Sequence, residues 1–85
     1  MERSEIENGV REVLGERGKL PLDAMTVDAT QSLYDAGMTS HATVKVMLAL
    51  EDRFDLEFPD ELLERSNFDQ IATLTAVLEK LIGRV

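Results

Sequence analysis

The chain contains few of the residues that stabilise a fold through covalent or metal bonds. Its 85 residues include no cysteine, no tryptophan, one histidine and two prolines. Without cysteine the chain has neither a disulfide bond nor a cysteine-ligated metal, and one histidine is too few for a typical zinc site. We therefore expect no metal site and a core that is held together by packing alone.

Basic residues are also scarce. Nine Lys and Arg residues stand against 17 Asp and Glu residues, which gives a net charge of −8. A protein of this charge repels nucleic acid and anionic membranes, so we expect neither as a partner, whereas basic protein surfaces are suitable partners.

Long apolar runs are missing as well. No stretch approaches the roughly 20 apolar residues that cross a membrane, and the first five residues lack the basic and apolar regions of a signal peptide. We therefore expect a cytoplasmic protein. The length fits one small domain, residues 1–85, and nothing in the sequence requires a dimer, so we expect a monomer.

Apolar residues recur with helical spacing from about Ser4 to Arg17. Ser4 followed by Glu7 has the arrangement of a capping box and predicts the start of this first helix. Gly18 is placed to end it. The stripe that we expect to face the core consists of Ile6, Val10, Val13 and Leu14.

Between residues 19 and 39 the apolar side chains follow neither a helical nor a strand period, which predicts a long loop. Loops of this length are uncommon in compact domains and are often functional where they occur. Gly37, near the end of the loop, supplies a flexible or positive-φ position. The loop delivers the chain to Ser40.

The segment from Ser40 to Arg53 is predicted to be the second main helix, because it lacks Gly and Pro and because Thr39 or Ser40 can serve as its N-cap. A rotation of about 100° per residue places its apolar residues on two arcs. The wider arc, with Phe54, is expected to be buried. The narrower arc is expected to stay exposed as an interaction site, unless loop residues such as Leu33 or Met38 cover it. The wider arc is Thr43, Val46, Met47, Leu50 and Phe54, and the narrower is His41, Val44 and Leu48.

After this helix, Pro59 favours an extended entry into a brief helix from Asp60 to Arg65, in which Leu62 and Leu63 are expected to point inward.

Asn67, with Gln70 three residues later, is expected to cap the last main helix, which Gly83 ends. The predicted fold class is thus all-α. It is a bundle of three main helices plus one short helix, with a long loop between helices 1 and 2.

The helix start at Ser40 suggests a specific chemistry. The first backbone N–H groups of a helix lack partners and carry the positive end of its dipole, so a phosphate ester on an exposed hydroxyl is favoured there. The simpler interpretation is that Ser40 or Thr39 only caps the helix. Neither Ala42 nor Thr43 supplies the Glu or Gln of a capping box.

Five segments around this serine resemble, in order and spacing, the core of an acyl carrier protein. They are Asp35 to Ser40, Thr43-Val44, Met47 to Glu51, Phe54, and Phe58 to Glu61, within a resemblance that extends over about residues 5 to 82. It implies that a 4′-phosphopantetheine arm from coenzyme A is attached to Ser40, and that Asp35, Gly37 and Thr39 form the flanking turn.

The resemblance further implies a carrier that performs no catalysis of its own. It would hold an acyl or aminoacyl group as a thioester on the arm and present it to partner enzymes. The implied partners are a phosphopantetheinyl transferase, a loading ligase or transferase, and downstream acyl-processing enzymes.

The chain departs from the fatty-acid carriers of this family around the serine. Thr39 and His41 replace an acidic and an apolar residue, and Ala42 and Lys45 occupy positions where those carriers display carboxylates. These changes favour a dedicated pathway, with an aminoacyl carrier as one form of it. The predicted partner face consists of His41, Val44, Lys45, Leu48, Glu51 and Asp52.

Two other functions are considered. A hydrolase built on Ser40 and His41 is disfavoured, because neighbouring residues of a helix point about 100° apart and no oxyanion-hole motif accompanies them. The second is a small acidic helical interaction module without a prosthetic group, in which Ser40 is only a cap and Val44 and Leu48 receive a partner helix.

Overall fold

The computed structural model describes residues 1–83, and three α-helices carry the fold of this part of the chain. These are α1 (Arg3–Arg17), α2 (Ser40–Phe54) and α3 (Ile71–Ile82), with two 3₁₀ turns, Asp60–Leu62 and Arg65–Phe68, between α2 and α3. The first helix packs against both others. The all-α class and the long loop before α2 are therefore confirmed, whereas the single short helix is replaced by two turns.

The core forms where the apolar stripes of the three helices meet. The predicted stripe of α1 is buried, and in α2 the wider arc contributes Val46 and Leu50, each 0% exposed. Burying one such side chain stabilises the fold by about 1.5–3 kcal/mol before entropy is counted. The fully buried larger side chains include Ile6, Val10, Leu14, Leu33, Ile71, Leu74 and Leu78.

The N-cap of the first helix lies two residues before the predicted one. Glu2 is its N-cap, and the backbone N–H of Glu2 donates to Oε1 of Glu5 at 3.2 Å. The prediction of Ser4 and Glu7 as the capping pair was therefore wrong. Glu2 and Glu5 have the same spacing as Ser4 and Glu7, so the spacing alone did not distinguish the two pairs.

A glycine sets how closely α1 and α2 approach. Gly9 is buried, and a Cβ atom built on it would lie 2.6 Å from Cζ of Phe54. That distance is shorter than any normal contact between carbon atoms. The absence of a side chain at residue 9 therefore lets the Phe54 ring pack directly on the backbone of α1.

The last helix begins later than predicted. Asn67 lies in a 3₁₀ turn, and its Nδ2 donates to the carbonyl of Leu62 at 3.0 Å, while the N-cap of α3 is Gln70 without a side-chain bond. The prediction of Asn67 as the cap was wrong because its side chain fastens the preceding segment instead. Gly83 ends α3, as predicted.

The loop between α1 and α2 is fastened to the start of α3. The carboxylate Oδ1 of Asp69 accepts from the Ser32 hydroxyl at 2.7 Å, and the Asp69 carbonyl accepts from the Leu33 amide at 2.7 Å. The Ala72 amide donates to the carbonyl of Ala29 at 2.9 Å. These bonds fix the residues that lead into the Ser40 turn.

Arg11 fastens the same loop to α1. Its Nη1 donates to the carbonyls of Ala24 and Val27 at 3.0 and 2.7 Å, and its Nε contacts Glu7 at 3.2 Å. Only 11% of the Arg11 side chain is exposed. The loop is thus held from both sides, although it contains neither helix nor strand. No helix within residues 1–83 is long and apolar enough to cross a membrane.

Candidate functional site

A tight turn leads from the loop into α2. Gly37 has a φ of 119°, in the region that favours glycine, and the Met38 amide donates to the carbonyl of Leu33 at 2.9 Å. Thr39 is extended, and its Oγ1 accepts from the amide of Ala42 at 3.0 Å. Thr39 is therefore the N-cap, and Ser40 is the first residue of the helix.

Because Thr39 caps the helix, the Ser40 hydroxyl has no part in the cap. Ser40 is exposed, and its hydroxyl makes no hydrogen bond to any residue between 1 and 83. The first turn of α2 contains no acidic residue. The hydroxyl thus stands free at the positive end of a 15-residue helix, where a phosphate ester is stabilised.

A cleft of about 470 Å³ opens beside this hydroxyl, between α2 and the segment that precedes α3. Its apolar wall includes Leu63, which is 43% exposed and does not point into the core as predicted. The lining residues are Tyr34, Ser40, Thr43, Val44, Met47, Leu63, Glu64, Arg65 and Phe68.

One wall of the cleft carries a stacked pair. Cζ of Arg65 lies 3.8 Å from the centroid of the Tyr34 ring, and the Tyr34 hydroxyl lies 3.1 Å from Oγ1 of Thr43. Oγ1 of Thr43 also donates to the carbonyl of Thr39 at 2.9 Å. This arrangement was not predicted, because no local pattern connects residues 34 and 65.

None of the three predicted flanking residues lines the cleft of Ser40. Thr39 and Gly37 shape the turn, but Asp35 lines a neighbouring polar cleft of about 520 Å³ that also includes Asp69. The backbone N–H of Asp35 donates to the Ser32 hydroxyl at 3.2 Å. The structure therefore places Asp35 in the turn and outside the cleft of Ser40.

The narrower arc of α2 is exposed beside the site. Val44 and Leu48 are 51% and 54% exposed, and His41 and Lys45 are exposed with them. The loop residues Leu33 and Met38, which were the alternative cover for this stripe, lie in the core instead.

The acidic end of the predicted partner face is only partly available. The carboxylate of Glu51 accepts from the amide of Phe58 at 2.8 Å, and Glu51 is half-buried. Asp52 is exposed. One oxygen of Glu51 therefore holds the turn after α2, and the use of this face by partners stays a prediction.

A family model described as the phosphopantetheine attachment site matches residues 5–79. The chain belongs to this family of carrier proteins. The carrier holds acyl or aminoacyl groups on covalently attached 4′-phosphopantetheine. This membership favours the carrier over the interaction module without a prosthetic group.

Individual relatives agree with this family. The carrier is 38% identical over 73 residues to an aminoacyl carrier protein of Agrobacterium fabrum, which covers 86% of this chain and 88% of the relative. It is 34% identical over 83 residues to an acyl carrier protein of Akkermansia muciniphila. That match covers 98% of this chain and 100% of the relative.

Solved structures of carriers have the same fold. One match is to the complex of an engineered Bradyrhizobium japonicum glycine:[carrier protein] ligase with a carrier protein from Agrobacterium tumefaciens and AMP. It has a TM-score of 0.82 and 38% identity, with 86% of this chain and 97% of that chain covered. A holo acyl carrier protein from Nitrosomonas europaea matches with a TM-score of 0.80 and 27% identity. That match covers 93% of this chain and 96% of the Nitrosomonas europaea chain.

The residues at the start of α2 fit the prosthetic group. A free hydroxyl stands at the positive end of a helix, and the adjoining cleft contains both apolar side chains and the guanidinium of Arg65. When bound, the arm supplies a thiol that carries the acyl or aminoacyl group as a thioester.

Proposed function

We propose that Ser40 is the residue to which 4′-phosphopantetheine is attached, and that the cargo is an aminoacyl group loaded by a ligase. The free, exposed hydroxyl of Ser40 at the start of α2 carries this proposal. Another serine, Ser32, is less suitable because its hydroxyl already donates to Asp69.

The carrier acts in this attachment as a substrate. A phosphopantetheinyl transferase would join Ser40 Oγ to the phosphate of the arm. The pyrophosphate bond of coenzyme A would break, adenosine 3′,5′-bisphosphate would leave, and the hydroxyl proton would pass to a base. No side chain of residues 1–83 is hydrogen-bonded to this hydroxyl, and His41 points to another side of the helix. The base would therefore belong to the transferase, and the carrier would be its substrate.

The aminoacyl cargo is supported by the aminoacyl carrier relative and by the surface of α2. The first turn of α2 has no carboxylate, and Lys45 places a positive charge on its exposed side. Enzymes that bind carriers through carboxylates at these positions should bind this one weakly. A ligase like the one in the Agrobacterium tumefaciens carrier complex would instead meet an apolar surface at Val44 and Leu48.

A second candidate cargo is a fatty acyl group. It is supported by the acyl carrier relative from Akkermansia muciniphila and by the apolar side chains of the cleft, among them Met47 and Phe68.

Intact mass spectrometry tests the attachment. The purified protein is incubated with coenzyme A and a broad-specificity phosphopantetheinyl transferase. We expect a gain of one phosphopantetheine in the wild type and in Ser66→Ala, and none in Ser40→Ala. A gain that persists in Ser40→Ala, or no gain with several transferases, would contradict the proposal.

The cargo is tested on the holo protein. It is incubated with ATP, a carrier ligase and either single amino acids or fatty acids, and the thioester is measured by its mass and its release by hydroxylamine. We expect loading with an amino acid. Loading by fatty acids alone would favour the second candidate and leave the attachment at Ser40 intact.

A further inference from the structure

We propose that Arg65, held against the ring of Tyr34, binds the phosphodiester of the prosthetic arm and so keeps the arm beside the cleft. The inference rests on the proposed attachment at Ser40. It adds a positioning residue that lies outside both α2 and the turn before it, in the 3₁₀ turn Arg65–Phe68.

The position of Arg65 leaves its hydrogen-bond donors available. The guanidinium lies over the Tyr34 ring, with Cζ 3.8 Å from the centroid. A stacked guanidinium uses its face for the ring and keeps its five N–H groups at the edge. Among residues 1–83 these groups have neither a hydrogen-bond nor an ion-pair partner. They are therefore free to bind an anion, and a planar guanidinium matches two phosphate oxygens.

Tyr34 is a fixed platform for this guanidinium. Its backbone N–H donates to Oδ1 of Asp69 at 3.3 Å, and its hydroxyl lies 3.1 Å from Oγ1 of Thr43. Thr43 is one helical turn after Ser40, so it lies on the same side of α2. The tyrosine thus connects the wall of α2 at the attachment residue to the stacked arginine.

The turn that carries Arg65 is also fastened. The amide of Asn67 donates to the carbonyl of Glu64 at 3.0 Å, and its side chain donates to the carbonyl of Leu62 at 3.0 Å. Because the Tyr34 ring and the turn that carries Arg65 are both held in place, ordering the guanidinium costs less entropy when it binds an anion.

The charges of the cleft favour a tethered anion over a free one. Among its lining residues in the described part of the chain, Arg65 is the basic one and Glu64 is acidic. The whole chain has a net charge of −8, which repels free phosphate. Ser40 and Arg65 line the same cleft, so a phosphodiester joined to Ser40 is held there at high effective concentration and a weak contact suffices.

Nuclear magnetic resonance of the apo and holo proteins tests this contact. The ³¹P shift and relaxation of the arm are compared in wild type, Arg65→Gln, Arg65→Lys and Arg53→Gln. The Nε–H signal of Arg65 is compared in the wild type and Arg53→Gln. Arg53 is the matched control, because it is an exposed arginine near the end of α2 that pairs with Glu12.

In the wild type we expect attachment of the arm to shift the Arg65 Nε–H signal. Arg65→Gln should lower the ratio of docked to free arm about two- to fivefold, the range of an exposed ion pair. Arg65→Lys should retain part of the docked population, and Arg53→Gln should leave the ratio of docked to free arm unchanged. The apo spectra should agree beyond the substituted residue and, for the Arg65 variants, its stacking partner Tyr34, which separates arm binding from a structural role.

Equal ³¹P shift and relaxation in the wild type and Arg65→Gln would overturn the inference, and so would an equal loss in Arg53→Gln. Both results leave attachment at Ser40 intact. Failure of every variant, including the wild type, to gain the arm would instead overturn the proposed function.

Discussion

Oγ1 of Thr39 accepts a hydrogen bond from the amide of Ala42 at 3.0 Å, so the residue before Ser40 caps α2 and Ser40 does not. Two adjacent hydroxyls therefore have separate roles. The first stabilises the start of the helix, and the second is free for modification.

Replacing each hydroxyl should separate these roles. Thr39→Ala should lower the free energy of unfolding by about 1 kcal/mol through loss of the cap, while Ser40 still accepts the arm. Ser40→Ala should change stability by less than about 0.5 kcal/mol and abolish modification. Urea denaturation and intact mass measure the two effects. A larger loss of stability in Ser40→Ala than in Thr39→Ala would show that the cap is assigned to the wrong residue.

The two glycines of α1 form a matched pair. Gly15 is exposed, with the nearest atom to a built Cβ 3.9 Å away, so Gly15→Ala should stabilise the protein by about 0.5–1 kcal/mol through helix propensity. Gly9→Ala gains the same propensity but must displace Phe54, and such overpacking costs about 1–3 kcal/mol. Thermal unfolding should therefore place Gly9→Ala below both Gly15→Ala and the wild type. Equal stabilisation by the two alanines would refute the close contact.

The loop contacts of Arg11 can be tested against an exposed arginine of the same helix. Arg11→Gln loses the bonds of Nη1 to Ala24 and Val27 and should destabilise the protein by about 1.5–3 kcal/mol, the range of hydrogen bonds to charged groups. Arg17→Gln should change stability by less than about 0.5 kcal/mol. Guanidinium denaturation compares them, and similar midpoints for the two variants would argue against a fastening role of Arg11.

One carboxylate of the loop should make stability depend on pH. The side chain and the backbone amide of Thr30 donate to Asp28 at 2.6 and 2.8 Å, and these bonds, helped by the charge of Arg11, lower the pKa of Asp28. A lowered folded-state pKa stabilises the fold above the ordinary pKa of Asp, about 3.9. This stabilisation disappears as the pH falls through the lower folded value.

The stability difference between the wild type and Asp28→Asn should therefore be constant near neutral pH. It should shrink as the pH falls below about 4, where the unfolded carboxyl becomes protonated. Urea denaturation at a series of pH values measures it. A difference that grows toward acid would mean that the pKa of Asp28 is raised in the folded protein.

The second helix was predictable because its signals are local. Its start at Ser40, the buried arc with Val46 and Leu50 and the exposed arc with Val44 and Leu48 all follow from helical spacing within one segment. Which residue caps the helix was not predictable, because the hydroxyls of Thr39 and Ser40 satisfy the same sequence rule. The backbone geometry decides in favour of Thr39.

The start of α3 and the wall of the cleft depend on contacts that no periodic pattern reveals. Asn67 has the sequence of a cap, but its side chain is used by a bond to the carbonyl of Leu62, five residues earlier. Tyr34 and Arg65 are far apart in sequence, and neither belongs to a periodic segment. Only the folding of the loop against the start of α3 brings them together, so sequence spacing carried no signal for this part of the site.

Arg11 and Asp69 hold the loop from two sides, and this affects how enzymes recognise the carrier. An enzyme that approaches Ser40 meets a surface whose shape exists before the encounter, and association need not wait for a slow rearrangement of the carrier. Under the proposed attachment at Ser40, successive enzymes would then exchange quickly on the same rigid surface, at a rate set by how fast each one dissociates.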